Sequence, residues 1–268
     1  MTTCRILGIV NLTEDSFSAG GRTLDPDRAI AHALALVRDG ADAVDLGAAA
    51  SNPQAKPVDA TEEIRRLAPV VAALRAHGVC VSIDSFASDV QRWALDQGVE
   101  FLNDTRGFPD PAMHPRLAMV RSRLIVMHAV QQSGRADRTA CDAGAIFDRV
   151  VAFFDARLAA LARAGVACTR CILDPGMGFF LGSGPEASLG MLRRLGALRA
   201  RFELPVLVGV SRKGFLGALT HREPDDRGAA TLAAELHAVR QGVDWVRTHD
   251  VRALRDAITI QQALEEGG

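Results

Sequence analysis

ArgIleLeuGlyIleValAsn (residues 5–11) decides how the chain is read. Its run 6–10 is apolar on both faces of the pleat and stops at Asn11, whose amide both donates and accepts. A strand apolar on both faces is covered on both, which is the habit of parallel sheets wrapped in helices. The same phrase recurs along the chain. AlaValAspLeuGly (43–47) carries Asp45, CysValSerIle (80–83) ends at Asp84, and PheLeu (101–102) ends at Asn103-Asp104. LeuIleValMet (124–127) ends at His128 and CysIleLeu (171–173) at Asp174. ProValLeuValGlyVal (205–210) runs into Ser211-Arg212-Lys213, and TrpVal (245–246) into Arg247-Thr248-His249. Eight runs, each followed by enough chain for a crossover, predict a (β/α)₈ TIM barrel, an α/β fold. Such barrels carry their chemistry at the carboxyl ends of the strands, so the terminating polar groups are the candidate site.

Length agrees: 268 residues suit one barrel, predicting a single domain over 1–268. The loops 11–24 and 48–58, after the first and second strands, are longer or richer in glycine and proline than connectors need, and are expected to close over a substrate. Net charge is −1, which offers no basic field to nucleic acid or an anionic membrane. The N-terminus turns polar too soon for a signal peptide, and no apolar run approaches the roughly 20 residues of a membrane span. A soluble, cytoplasmic protein is expected. Of the five cysteines, Cys168 and Cys171 have metal-pair spacing but no second pair, and read as incidental thiols.

Helix signals fall between the strands. Asp25-Pro26 offers an N-cap and a first-turn proline, with Ile30, Ala33, Leu34 and Val37 on one stripe and Gly40 at the end. Thr61 opens a second helix ending near Gly78, and Phe147 to Leu161 marks a third that stops at Gly165. Leu189, Leu192, Leu195 and Leu198 predict one further helix.

An Asp after a strand commonly caps the next helix, the reading given to Asp45 and Asp104. Asp84 and Asp174 instead follow wholly apolar strands, and a buried carboxylate there requires a partner, such as the paired N–H donors of a guanidine-like ring edge. Asn103 suits a heterocycle with mixed ring nitrogens. Ser211, Arg212 and Lys213 bring a hydroxyl, two cations and the N–H groups of a following helix together, an anion site, with Arg247 and His249 beside them. Asn11, next to the eighth strand in a closed barrel, offers an amide oxygen to a cation bridging a diphosphate. His128 reads equally as a core histidine. These groups suggest catalysis by positioning and electrostatics: stabilising a departing phosphate and a cationic ring.

GlyIleValAsnLeuThrGluAspSerPheSer (8–18) closely resembles the first signature loop of the dihydropteroate synthases. SerIleAspSer (82–85), AsnAsp (103–104), MetHis (127–128), LeuAspProGlyMetGlyPhe (173–179), GlyValSerArgLys (209–213) and ValArgThrHisAsp (246–250) resemble that family's later motifs in order, over essentially the whole chain. The resemblance implies condensation of 6-hydroxymethyl-7,8-dihydropterin diphosphate with 4-aminobenzoate, giving 7,8-dihydropteroate and pyrophosphate. It implies that Asp84, Asn103, Met127, Asp174 and Lys213 hold the pterin, with Asp84, Lys213 and Asp174 carrying catalysis. Asn11, Arg247 and His249 are implied to hold the diphosphate, Asn11 also meeting Mg²⁺. Phe17 and Ser211, the latter at a helix N-terminus, are implied to receive the aminobenzoate. A homodimer is implied as well.

The departures cluster. AlaAlaAlaSerAsnProGln (48–54) stands where the family usually has Gly-Glu-Ser-Thr-Arg-Pro-Gly, so that Ser51 and Asn52 replace threonine and arginine while Pro53 is kept. Phe180 and Leu181 replace glycine and lysine, Glu14 a proline, and Ala19 an aspartate. Ser51, Asn52, Pro53 and Phe180 are read as bordering the aminobenzoate. The pattern resembles the family's mobile, sulfonamide-insensitive branch, which implies drug rejection. Alternatives are a pterin-dependent methyltransferase, disfavoured by the SerArgLys turn and the AsnLeuThr loop, and a pterin-binding protein without turnover.

Overall fold

The computed structural model describes residues 4–13, 25–49, 58–130, 144–182 and 184–266. Strands form at all eight runs: β1 (Arg5–Asn11), β2 (Ala43–Gly47), β3 (Val81–Asp84), β4 (Phe101–Asp104), β5 (Arg123–Met127), β6 (Cys171–Asp174), β7 (Leu207–Val208) and β8 (Trp245–Thr248). Hydrogen bonding runs β6-β5-β4-β3-β2-β1-β8-β7, every pair parallel. A parallel bridge between Leu173 and Val206 joins the two ends and makes the sheet a barrel. No described helix is long and apolar enough to cross a membrane.

The interior explains why the strands are apolar on both faces. Leu7, Ala43, Phe101, Ile125, Ile172, Leu207 and Trp245, one from each strand but β3, plug the barrel at one level. Side chains alternate across the pleat, so the residue two positions further on points inward again, nearer the carboxyl-end mouth. Those residues are Ile9, Asp45, Asn103, Met127, Asp174, Gly209 and Arg247. The other face of each strand packs against helices in a second, larger core.

Around the barrel run α1 (Pro26–Arg38), α2 (Ala60–Ala76), α3 (Ser88–Asp96), α4 (His114–Met119), α5 (Ile146–Arg163), α6 (Pro185–Leu192), α7 (Leu195–Phe202), α8 (Gly214–Thr220), α9 (Gly228–Arg240) and α10 (Val251–Glu266). The Asp25 carboxylate caps α1 by accepting from Asp27 N at 3.0 Å and Arg28 N at 3.4 Å. The second helix starts earlier than Thr61, because Asp59 accepts from Glu62 N at 2.8 Å and is the N-cap. The single helix expected from Leu189 to Leu198 is two. The chain leaves helical geometry at Arg194, whose guanidinium lies 3.5 Å from the Phe147 ring centroid. Leu192, Leu195 and Leu198 are all buried across that break, so the apolar stripe is continuous although the axis is not.

Candidate active site

The carboxyl ends of β1, β3, β7 and β8 enclose a cavity of about 250 Å³ lined by Asn11, Asp84, Ser211, Lys213, Arg247 and His249 together with Ile9, Gly209 and nearby loop residues. Its charge centre is Arg247, which reaches across the barrel. Arg247 Nε donates to Asp45 Oδ2 at 2.5 Å and Nη2 donates to Asp84 Oδ2 at 2.9 Å. Asn103 Nδ2 donates to the same Asp45 oxygen at 3.0 Å. One guanidinium thus serves two carboxylates, and three strands besides its own are tied through it. Asp45 is completely buried inside the barrel, so the helix-cap reading of this residue fails: the pleat points it inward above Ala43. It is the site candidate that the helix-cap reading set aside. Asp104, one position past Asn103, faces the other way and accepts from Arg106 N, Phe108 N and Gln91, a structural anchor for its own loop.

Burial sets the electrostatics. It raises the Asp84 carboxyl to about 7, against the pull of Arg247 and with a further push from Asp45. Burial raises Asp174 to about 6, opposed first by the hydrogen bond that its Oδ1 accepts from Gly176 N at 2.8 Å and then by Lys213. That bond needs the turn made by Gly176 at φ +72°, where a Cβ would stand 2.4 Å from the His128 carbonyl oxygen. Burial also lowers Lys213 to about 8, with Asp174 resisting. For Arg247 burial acts downward, but Asp45 and Asp84 outweigh it and the net shift is upward. His249 is pushed down to about 3 by burial and by Arg247, so its imidazole is neutral near pH 7.

Two buried acceptors, Asp45 Oδ1 and Asn103 Oδ1, have no donor among the described residues. A buried acceptor left unpaired costs stability, and neither Asp45 nor Asn103 is among the residues that line the cavity. Met127 is buried at the same mouth and packs against Phe180. Phe180 thus lies against Met127, its ring centroid 5.0 Å from Lys213 Nζ. Leu181 is buried in the outer core and away from the cavity lining.

The SerArgLys turn differs from its sequence reading. The helix begins at Gly214 with Lys213 as N-cap, so Ser211 is not at a helix N-terminus. Ser211 Oγ instead lies 2.9 Å from His249 Nδ1 and accepts from His249 N at 3.2 Å. Nor do two cations converge: Arg212 is exposed and pairs with Asp225 at 3.3 Å. His128 is a core histidine, with Nδ1 3.1 Å from Pro175 O and its ring edge-on to Phe153. Phe17, Ser51, Asn52 and Pro53, with Glu14 and Ala19, lie outside the described residues. Among the described residues no three His, Cys, Asp or Glu side chains cluster as a metal site. Magnesium does not need one, because it commonly takes one or two protein oxygens and completes its shell with phosphate and water. The Asn11 amide at the cavity wall, beside Arg247 and His249, fits that use.

Residues 7–249 match the pterin-binding enzyme family. The chain is 57% identical over 261 residues to a dihydropteroate synthase type-2 of Escherichia coli, covering 97% of this chain and 96% of the relative. This chain belongs to the dihydropteroate synthases. It is also 49% identical over 260 residues to a type-3 member of the family from E. coli, covering 97% and 99%. Among solved members of the family, a Xanthomonas albilineans dihydropteroate synthase with 4-aminobenzoic acid superposes with a TM-score of 0.89 at 36% identity, covering 98% of this chain and 93% of the other. The same enzyme in complex with 7,8-dihydropteroate gives 0.85 at 35% identity, covering 98% and 94%. Membership of this family makes the protein a transferase of folate biosynthesis.

Proposed function

We propose that the protein joins 6-hydroxymethyl-7,8-dihydropterin diphosphate to 4-aminobenzoate, releasing pyrophosphate and 7,8-dihydropteroate, as a cytoplasmic homodimer. The observation that carries this reading is the buried Asp45–Arg247–Asp84 network beside a cavity lined by Asn11, Lys213 and His249, in a barrel whose relatives are dihydropteroate synthases. Asp84, Asn103 and Asp174 hold the pterin edge, Met127 packs on its face, and Lys213 bonds its rim. Arg247 and neutral His249 receive the diphosphate, and the contact of Ser211 with His249 supports a place for Ser211 on this side as well. When bound, Mg²⁺ neutralises diphosphate charge, and Asn11 is the residue to hold it.

In the reaction the methylene C–O bond breaks, its electron pair leaving with pyrophosphate. The amine nitrogen of 4-aminobenzoate forms the new C–N bond and gives up one proton. Asp84 faces the cation that develops on the pterin, while Arg247 and Lys213 face the departing anion. This is stabilisation by groups already oriented in a water-poor site, where charge is worth more than in bulk water.

Rejection of sulfonamides belongs to the same reading. The replacements at Ser51, Asn52 and Phe180 support it. A thousandfold preference for substrate over drug needs about 4 kcal/mol, within the range of one steric clash plus one lost hydrogen bond. The test is pyrophosphate release from pterin diphosphate, Mg²⁺ and 4-aminobenzoate, with and without excess sulfamethoxazole. Release that persists in drug is expected. Release abolished by low micromolar drug refutes the rejection, and no release refutes the synthase reading. Light scattering of the eluted protein at twice the chain mass is expected for the homodimer; the mass of one chain refutes it.

A further inference from the structure

The turn that presents Ser211 and Lys213 to the cavity is not held by its own sequence. Arg212, between them, has φ +58°, a left-handed conformation that a side chain with a Cβ disfavours. That conformation turns the Arg212 side chain outward to Asp225 while its neighbours on both sides line the site. Both polar groups of the Arg212 residue are gripped from α9. Arg212 N donates to Thr231 Oγ1 at 3.0 Å, and Arg227 Nη1 donates to Arg212 O at 2.8 Å. Arg227, the N-cap of α9, and Thr231, inside its first turns, are four residues apart and so share one face. Thr231 is 4% exposed.

Two further features sit on that arrangement. Gly217 of α8 makes room for the clamp, because a Cβ there would stand 2.3 Å from Arg227 Nη2. One turn beyond Thr231, the buried Glu235 lies against Thr248, whose hydroxyl approaches Ser211 Oγ at 3.5 Å. The same helix face thus backs both loop ends that carry the anion-binding candidates.

We propose that Thr231 and Arg227 are positioning residues for pyrophosphate binding, clamping the Arg212 peptide in its left-handed turn so that Ser211 and Lys213 face the anion. Neither touches the cavity; each acts through the Arg212 backbone. The inference rests on the diphosphate reading of the site given above.

The experiment is titration calorimetry of inorganic pyrophosphate with Mg²⁺ on the full chain, beside a thermal melt of each protein. Thr231→Val removes the acceptor at nearly constant shape and is expected to weaken pyrophosphate about tenfold. Thr231→Ser keeps the acceptor and is expected to bind within about twofold of the parent. Gly217→Ala guards against a folding artefact, since alanine favours the helix while its methyl displaces the Arg227 guanidinium. It is expected to leave the melt unchanged or higher and still weaken pyrophosphate several-fold. Parental binding in both folded Thr231→Val and Gly217→Ala overturns the clamp, and so does equal loss in Thr231→Ser and Thr231→Val. Should Thr231→Val not fold, parental binding in Gly217→Ala alone overturns it. A parent that neither binds pyrophosphate nor forms product overturns the diphosphate reading, and the clamp with it.

Discussion

Removing the Arg247 guanidinium isolates two carboxylates, and the size of the effect follows from how little water reaches them. In Arg247→Met the side-chain bulk is roughly kept, while Asp45, with a side-chain exposure of 0%, and Asp84, at 19%, lose their shared cation. Deleting one partner of a buried ion pair costs about 3–5 kcal/mol. A domain of this size loses about 2–4 °C of Tm per kcal/mol, so the ligand-free variant is expected to melt about 6–20 °C below the parent. The loss has a definite pH dependence. Burial raises Asp84 to about 7 even with Arg247 pulling it down, and without Arg247 it climbs further. A carboxyl whose folded pKa exceeds its unfolded value holds its proton better in the fold, so stability falls as pH rises from the unfolded through the folded value. Arg247→Met is therefore expected to lose most near pH 8 and much less at about pH 5.5, where one carboxyl is protonated. Urea unfolding of parent and variant at both pH values measures it. A loss below about 1 kcal/mol near pH 8, or the same loss at both, refutes the assignment of Arg247 as the counter-charge of that pair.

Asp174→Asn keeps the size of the side chain and an acceptor for Gly176 N, but removes the charge. One charged hydrogen bond is worth about 1.5–3 kcal/mol, so pterin affinity should fall roughly ten- to a hundredfold in a pteroic acid titration, and a change under about threefold counts against the assignment. Lys213 is lowered to about 8, so kcat/KM for pterin diphosphate is expected to decline as pH rises through that value and the ammonium is lost. A steady-state profile flat well past it would show that the charge on Lys213 is not used. His128, lowered to about 4 by burial, is neutral in the fold where the unfolded chain takes up a proton. Stability should therefore drop as pH falls from the unfolded value near 6.5 toward 4, and His128→Gln should flatten that limb of the urea midpoints; an unchanged limb assigns it to other groups.

The parts of this molecule that could be read from sequence are those with a local cause. Each strand announced itself as an apolar run, and the start of α1 as Asp25-Pro26, because burial on both faces and unpaired first-turn N–H groups leave marks within a few residues. The site was partly local as well. Asp84, Asn103, Asp174, Arg247 and His249 all lie at or within one residue of a strand end, and the barrel brings strand ends together. Asp45 escaped because position after a strand was used where direction was needed. It lies within β2, and counting two residues on from Ala43 aims it inward alongside Asn103, Met127, Asp174 and Arg247. The same count sends Asp104, His128 and Thr248 outward, which separates the loop anchor and the core histidine from the inward-facing candidates without any knowledge of contacts.

What periodicity does not carry is how the chain turns once a strand has ended. Ser211, Arg212 and Lys213 are adjacent, so composition alone makes a basic patch of them. Only the left-handed step at Arg212 splits the patch, one cation out to Asp225 and one in toward Asp174. That step is fixed by Arg227 and Thr231, some 15 to 19 positions away, through a backbone N–H and a carbonyl that every residue but proline possesses. A device made of main-chain groups leaves no side-chain signature where it acts. Its trace is at the far end, in a buried threonine and in a glycine of α8 that yields its space to a guanidinium.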